Sequence, residues 1–449
     1  MGNVKGTTDY RGEEQRLRNR IRGVLERQFA LYDFEPMETP VLNERTLLTS
    51  KYAGGEEIVK EMYVLSDQGG RQLGLRYDLT VPFAKVVAAT PGLPRPYRRY
   101  EIGKVFRDGP VKRGRLREFT QCDADVAGVE GPEAEAELML LAAGAFRELG
   151  IGAVCRWNNR RFLGELLSRL GVDEADAPAV MLALDKLDKI GADDVAAELG
   201  GIGLAGETIG RIAAWIESAY GNGNGGAADF ESLVRRYGLA DTPGTREVRR
   251  LEKLIDAVGL DEVCAFDPFL SRGLSFYTGT VYEWFAADGS LRSSVASGGR
   301  YDAMIGTLAA DGEGAVPAVG LSFGLDAILE LYRERGTRDE RPAVRFVPLG
   351  DTLADTLRAA ALFRSAGVRA GIESAGRKLK RALAAASAQG VRFVVIVGED
   401  EAAAGRVRLK DLTTGEETDV SAECALYRVE RATKGSLNEE GFDRPTDPR

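Results

Sequence analysis

The stretch KVFRDGPVKRGRLR, residues 104–117, holds six basic residues and one acid. Arginine forks suit bidentate contact with phosphate oxygens. Gly109 and Gly114 would let such a loop fold closely over a ligand. A solvated, positively charged hairpin accounts for the same charges. The residues that follow shift the balance. In REFTQCDADVAG, Gln121, Asp123 and Asp125 fall at i, i+2 and i+4, on one face of an unbulged strand, with Cys122, Ala124 and Val126 on the other. That pattern fits a polar cleft over an apolar back, and equally a sheet with one face in solvent. LRYDLT offers Asp78 and Thr80 with the same spacing, and SGGRYD places Arg300 and Tyr301 behind two glycines. RGLSFYTGTVYE strings Arg272, Phe276 and Tyr277 on a β-prone run. An acidic, amide-rich face beside an arginine-rich loop suggests a small cationic or amino-bearing ligand next to a polyphosphate.

These residues need a frame. Residues 13–32 carry Leu17, Ile21, Val24, Leu25 and Phe29 at helical spacing. An extended, proline-bounded YDFEPMETPVL follows. EMYVLSD, RQLGLRYD and PYRRYEIGKVFRD alternate as strands do, and a helix is expected over 132–149. The first 150 residues therefore predict an antiparallel sheet with helices rather than repeated βαβ units. Helical periods fill 160–260, broken by the glycine-rich GNGNGGA, and read as an insertion. Strands are expected at 263–285 and 295–302, then a helix from Gly324 to Arg335. After a charged linker, RGTRDERPA, a β-α-β-α-β alternation predicts a small α/β domain over 343–430. The polar tail 431–449 is expected to be disordered.

Composition narrows the chemistry. The 449 residues, 44% hydrophobic and 29% charged, are those of an ordinary globular protein of two or more domains. A net charge of −9 gives no global basic footprint for nonspecific nucleic-acid binding. Four scattered cysteines form no CxxC pair, which argues against a disulfide framework or zinc site and for a reducing, cytoplasmic setting. No secretory leader or membrane span is evident. The histidine count is 0. Imidazole general bases, His-based triads and His-ligated metals are therefore excluded, and any catalysis rests on carboxylates, guanidinium groups, hydroxyls or substrate groups.

At this point the motifs resemble a known family. KGTTD, LRYDLTVPFA, RYEIGKVFR, RGRLREFTQCDADVAG, DKLDKI, RGLSFYTGTVYE, SGGRYD and AVGLSFGLD occur in the order found in histidyl-tRNA synthetases, a branch of the class II aminoacyl-tRNA synthetases. The resemblance implies an α+β fold: a six-stranded antiparallel catalytic sheet over 1–335, a helical insertion and an α/β anticodon-binding domain. It implies ATP-dependent activation of L-histidine to histidyl-adenylate and transfer to tRNA(His), with ATP carried as its Mg2+ complex and no protein-bound metal. It also implies a homodimer formed around FEPMETP. Asp78, Thr80 and Gln121 would hold the substrate amino group, with Leu79 and Tyr301 in the same histidine-binding set. Asp125 and Tyr277 would read the imidazole nitrogens, and Phe276 would wall the pocket. Arg107 and Arg272 would flank the α-phosphate as the catalytic pair, Arg115 and Arg117 would contact ATP, and Phe119 would stack on adenine. Ala327 stands where the family commonly has an arginine, and Ser275 and Phe276 where it often has aspartate and tyrosine. Those departures leave a second reading, a non-aminoacylating paralogue that regulates histidine biosynthesis. Such paralogues lack the anticodon-binding domain.

Overall fold

The computed structural model describes residues 2–50, 59–90, 92–220, 230–272, 276–309, 315–335 and 344–438. The chain divides into two units, 1–337 and 338–449.

Eleven strands belong to the first unit: β1 (Glu35–Pro36), β2 (Leu42–Glu44), β3 (Val64–Ser66), β4 (Gln72–Leu75), β5 (Tyr97–Phe106), β6 (Glu118–Ala127), β7 (Ala153–Asn159), β8 (Cys264–Phe266), β9 (Thr280–Ala286), β10 (Ala296–Arg300) and β11 (Ala318–Gly324). Strands β2, β4 and β3 form a small antiparallel sheet. The large sheet runs β1-β5-β6-β11-β10-β9-β7-β8. Its six inner strands are antiparallel throughout, which is the expected catalytic sheet. The edge strands β1 and β8 add parallel pairs and make eight strands rather than six. Both are only two or three residues long, too short to stand out as periodic segments.

Register decides what this sheet presents. Strands β5 and β6 pair without a bulge from Tyr97↔Ala127 to Phe106↔Glu118. Cys122, Ala124 and Val126 enter the main core with Ile21, Leu25 and Phe29 of helix Glu13–Leu31 and Leu138, Leu141 and Phe146 of helix Glu133–Glu148. Ring contacts fasten both helices to the sheet: Phe29 and Phe146 lie 6.1 and 5.5 Å from Phe323, and Phe146 lies 5.6 Å from Trp284. The opposite face carries Gln121, Asp123 and Asp125, so alternation separates the apolar back from the polar cleft.

Two local expectations need correction. RGLSFYTGTVYE is not one strand: β9 begins only at Thr280, and Arg272, Phe276 and Tyr277 sit on the segment entering it. Arg272 has a left-handed backbone, φ +55°, which ends extended structure there. RQLGLRYD also stops being a strand at Leu75, and helix Thr80–Ala88 starts just after Asp78. Helices fill the insertion from Arg160 to Ala257. The GNGNGGA break and Ser275 lie outside the described residues, as does most of the charged linker.

In the second unit, β12 (Val344–Pro348), β13 (Ala370–Ile372) and β14 (Phe393–Val397) are the expected parallel strands. Two antiparallel strands, β15 (Val407–Asp411) and β16 (Glu417–Val420), extend the sheet beyond the sequence expectation. The last helix runs from Ala422 to Asn438, so the start of the polar tail is helical rather than disordered; 439–449 lie outside the described residues. Among the described residues no helix is long and apolar enough to cross a membrane.

Candidate active site

On the polar face of the large sheet lies an open pocket. Thr80, Asp123, Asp125, Phe276, Tyr277 and Tyr301 line it, over a floor from β10 and β11. The floor is open because glycine stands where side chains would fill it. A Cβ at Gly320 would lie 2.1 Å from Asp125 Oδ1, and one at Gly299 would lie 2.8 Å from the Tyr277 ring.

The walls are aromatic. The rings of Phe276 and Tyr277 are 4.6 Å apart, and Tyr301 meets Phe276 edge-on at 6.1 Å. The Tyr301 hydroxyl donates to Asp125 Oδ1. Behind Asp125 stands Arg99, fully buried, with Nη2 3.0 Å from Asp125 Oδ2 and donating to the Leu79 carbonyl at 2.7 Å. Leu79 thus takes part through its backbone. Burial raises the Asp125 carboxyl, and Arg99 pulls it back without cancelling the rise. Asp123 is raised further by burial and by neighbouring Asp125. Burial opposes the charge on Arg99 too, but Asp125 and Asp123 more than offset that and hold it protonated.

Buried acceptors on this face of β6 lack hydrogen bonds among the described residues. Asp123 Oδ1 and Gln121 Oε1 are buried and make no hydrogen bond, although the Gln121 amide donates to Ser322 Oγ at 3.0 Å. A buried polar atom left unsatisfied costs about 1–3 kcal/mol. A ligand carrying N–H donors would relieve that cost.

Asp78 sits at the head of helix Thr80–Ala88, where it accepts the Val81 N–H at 3.1 Å. Burial pushes its carboxyl up to about 6, against the opposing pull of the Val81 N–H and Arg107. Arg107 leaves the end of β5, donates through Nε to the Tyr77 carbonyl at 3.0 Å and lies 5.2 Å from the Phe119 ring centroid. Burial lowers its guanidinium, Asp78 opposes that, and the fields of Arg115 and Arg272 deepen it. Arg272 pairs with Glu283 at 2.9 Å and lies 5.7 Å from the Tyr277 ring. Among the described residues no cluster of three or more His, Cys, Asp or Glu side chains could hold a metal ion.

Not every sequence-selected residue converges on the cavity. Arg115 pairs with Glu61 at 2.7 Å, and Arg117 with Asp108 at 3.2 Å, both in the loop between β5 and β6. Phe119 lies under Arg107 rather than in the cavity lining. Ala327 packs into the main core. Beside it Asp326 accepts the Thr120 N–H at 2.8 Å and the Tyr10 hydroxyl at 2.5 Å, and pairs with Arg18.

Residues missed in the sequence stand behind the site. Besides Arg99, Arg76 donates to Glu101 at 2.7 Å and to the Thr39 carbonyl at 2.6 Å. Arg99, Glu101 and Gly103 face Asp125, Asp123 and Gln121 across the sheet. The alternating charges of RRYEIG were the available clue.

Comparison with known proteins bears on the family of the chain. A family model described as histidyl-tRNA synthetase matches residues 6–328, and one described as anticodon binding domain matches 343–431. The chain is 45% identical over 420 residues to "Histidine--tRNA ligase 2" of Shouchella clausii, covering 93% of this chain and 97% of that protein. It is 37% identical over 438 residues to "Histidine--tRNA ligase" of Aeropyrum pernix, covering 95% and 97%. The solved histidyl-tRNA synthetase of a Nostoc species superposes with a TM-score of 0.79 at 28% identity, covering 96% of this chain and 99% of that one.

Proposed function

The chain belongs to the histidyl-tRNA synthetase family, and from that premise we propose how its site attaches L-histidine to tRNA(His) through a histidyl-adenylate. The observation that carries the assignment of roles is the cavity over β6. It is aromatic at its walls and acidic on the β6 side, and half-buried Arg272 lies 5.7 Å from the Tyr277 ring in its wall.

Adenylate formation needs no protein base, because the substrate carboxylate is already a nucleophile. It needs alignment of that oxygen with the α-phosphorus and neutralisation of phosphate charge. Asp78, Thr80 and Gln121 hold the α-ammonium group. Asp125 and Tyr277 read the ring nitrogens, Phe276 and Tyr301 wall the slot, and Leu79 ties the loop to Arg99. Arg107 and Arg272 sit on either side of the α-phosphate and stabilise its extra charge as the bond to pyrophosphate lengthens. Phe119 offers a face to adenine, and Arg115 and Arg117 exchange their carboxylate partners for the outer phosphates. ATP enters as its Mg2+ complex. A pocket that hydrogen-bonds its substrate rejects analogues lacking those groups by roughly 10⁴–10⁵, so discrimination is complete at this step.

The partners are tRNA(His), met through the unit of residues 338–449, and a second copy of the chain. Exposed Leu42 and Leu65, on one face of the small sheet and near the FEPMETP segment, supply an apolar patch for a homodimer. A cytoplasmic location follows from the substrate. The regulatory reading has less support, since the anticodon-binding match is present. Histidine-dependent exchange of pyrophosphate into ATP tests the proposal. No exchange at saturating histidine and ATP would refute it.

A further inference from the structure

DKLDKI stands within the helical insertion, and none of the roles above uses it. Its first residue, Asp185, caps helix Ala177–Leu184 and reaches out of the insertion. Its Oδ1 accepts the main-chain N–H of Arg272 at 2.9 Å. We propose that Asp185 is the positioning residue for Arg272: it holds the turn that aims this guanidinium at the reacting phosphate. The inference rests on the reading of Arg272 given above.

Arg272 is one of two described non-glycine residues with a positive φ, at +55°. Side chains disfavour that conformation, so it persists only where neighbours impose it. The neighbours are present at each step. Asn158 Nδ2 donates to the Leu270 carbonyl at 2.8 Å. Arg160 Nη1 donates to the carbonyls of Ser271 and Arg272 at 2.9 and 3.0 Å. Ser271, fully buried, donates its hydroxyl to the Met181 carbonyl at 2.6 Å. Asp185 completes the set by taking the Arg272 N–H. Two of these anchors, Met181 and Asp185, lie at the same end of one insertion helix. The place of that helix end therefore sets the backbone from which the Arg272 side chain departs. Glu283, paired with the guanidinium at 2.9 Å, fixes its far end.

The test uses the full-length chain and histidine-dependent pyrophosphate exchange, with Asp185→Ala, Asp185→Asn, Arg272→Ala and the double alanine variant. Asp185→Ala is expected to slow the exchange by about a hundredfold, the cost of a small misplacement of a reacting group, while KM for histidine stays nearly unchanged. Asp185→Asn keeps a carbonyl acceptor and should recover most of the rate. The double variant should be no slower than Arg272→Ala alone, because the two residues act as one unit. Full exchange in Asp185→Ala, or losses that multiply in the double variant, would overturn the proposal. Full exchange in Arg272→Ala would overturn the assigned role of Arg272 and this inference with it. If Asp185→Ala does not fold, Asp185→Glu carries the test. It keeps the charge and displaces the acceptor by one methylene, so a slowed rate at unchanged melting temperature supports the proposal and an unchanged rate overturns it.

Discussion

Replacing Arg99 by methionine keeps an unbranched side chain but removes the charge and the donors behind the pocket. Arg99 has no solvent-exposed surface, its Nη2 lies 3.0 Å from Asp125 Oδ2, and it donates to the Leu79 carbonyl at 2.7 Å. In Arg99→Met the Asp125 carboxylate stays buried with the Tyr301 hydroxyl as its remaining donor. Breaking a buried pair by removing one partner costs about 3–5 kcal/mol, which a urea titration of the catalytic unit reads directly. Asp125, already raised by burial, rises further without Arg99 and holds its charge less readily. A charge-assisted hydrogen bond to the substrate ring is then lost. At about 1.5–3 kcal/mol for such a bond, KM for histidine rises roughly 10- to 150-fold. Adding Asp125→Asn separates the two effects. It removes the stranded charge and should restore much of the stability, yet leave histidine affinity poor. The reasoning fails if Arg99→Met loses less than about 1 kcal/mol, as an exposed pair would, with KM unchanged.

Asp78 titrates at about 6, above the ordinary carboxylate value of 3.8, so the folded state holds a proton that the unfolded chain has released between these values. Its contribution to stability therefore falls as pH rises through that window. Asp78→Asn should raise unfolding stability at pH 7.5 by up to about 3 kcal/mol and remove histidine-dependent exchange; no gain in calorimetry would count against a strained carboxylate. In the unmodified protein, histidine affinity should drop as pH falls through about 6, where Asp78 loses its charge. Gly320→Ala would set a methyl 2.1 Å from Asp125 Oδ1, and overpacking of this kind costs about 1–3 kcal/mol. Its KM for histidine should rise at least about tenfold, and an unchanged KM would show that the floor can yield. Ribosomes can complete this chain without decoding a histidine codon. Its yield under histidine limitation should exceed that of a variant carrying several surface histidines, and equal yields would end the idea.

Much of the site was legible because its parts are local patterns. The period-two run from Gln121 to Asp125 divides polar from apolar side chains, and β6 keeps that division without a bulge. The residues missed depend on the register between paired strands. Nothing within RRYEIG says that Arg99 will stand opposite Asp125; that follows from the β5–β6 register. Arg115 and Arg117 looked free for a ligand in the sequence, but neighbouring carboxylates reach them in the folded loop. Arg272 was read on a strand because valine, tyrosine and threonine nearby favour one, whereas tertiary hydrogen bonds hold it in a left-handed turn.

The succession of antiparallel sheet, helical insertion and small α/β domain, the two-faced strand β6 and the exclusion of imidazole catalysis came from the sequence alone. Hydrophobic period and residue type are properties of neighbouring residues, and they survive without knowledge of the fold. Tertiary structure decided which charges meet. It put Arg99 behind Asp125, left Asp123 Oδ1 without a hydrogen bond among the described residues, and brought Asp185 to the backbone of Arg272 across 87 residues. Such contacts depend on register and on where an insertion helix ends, and neither is written in any local stretch of the chain.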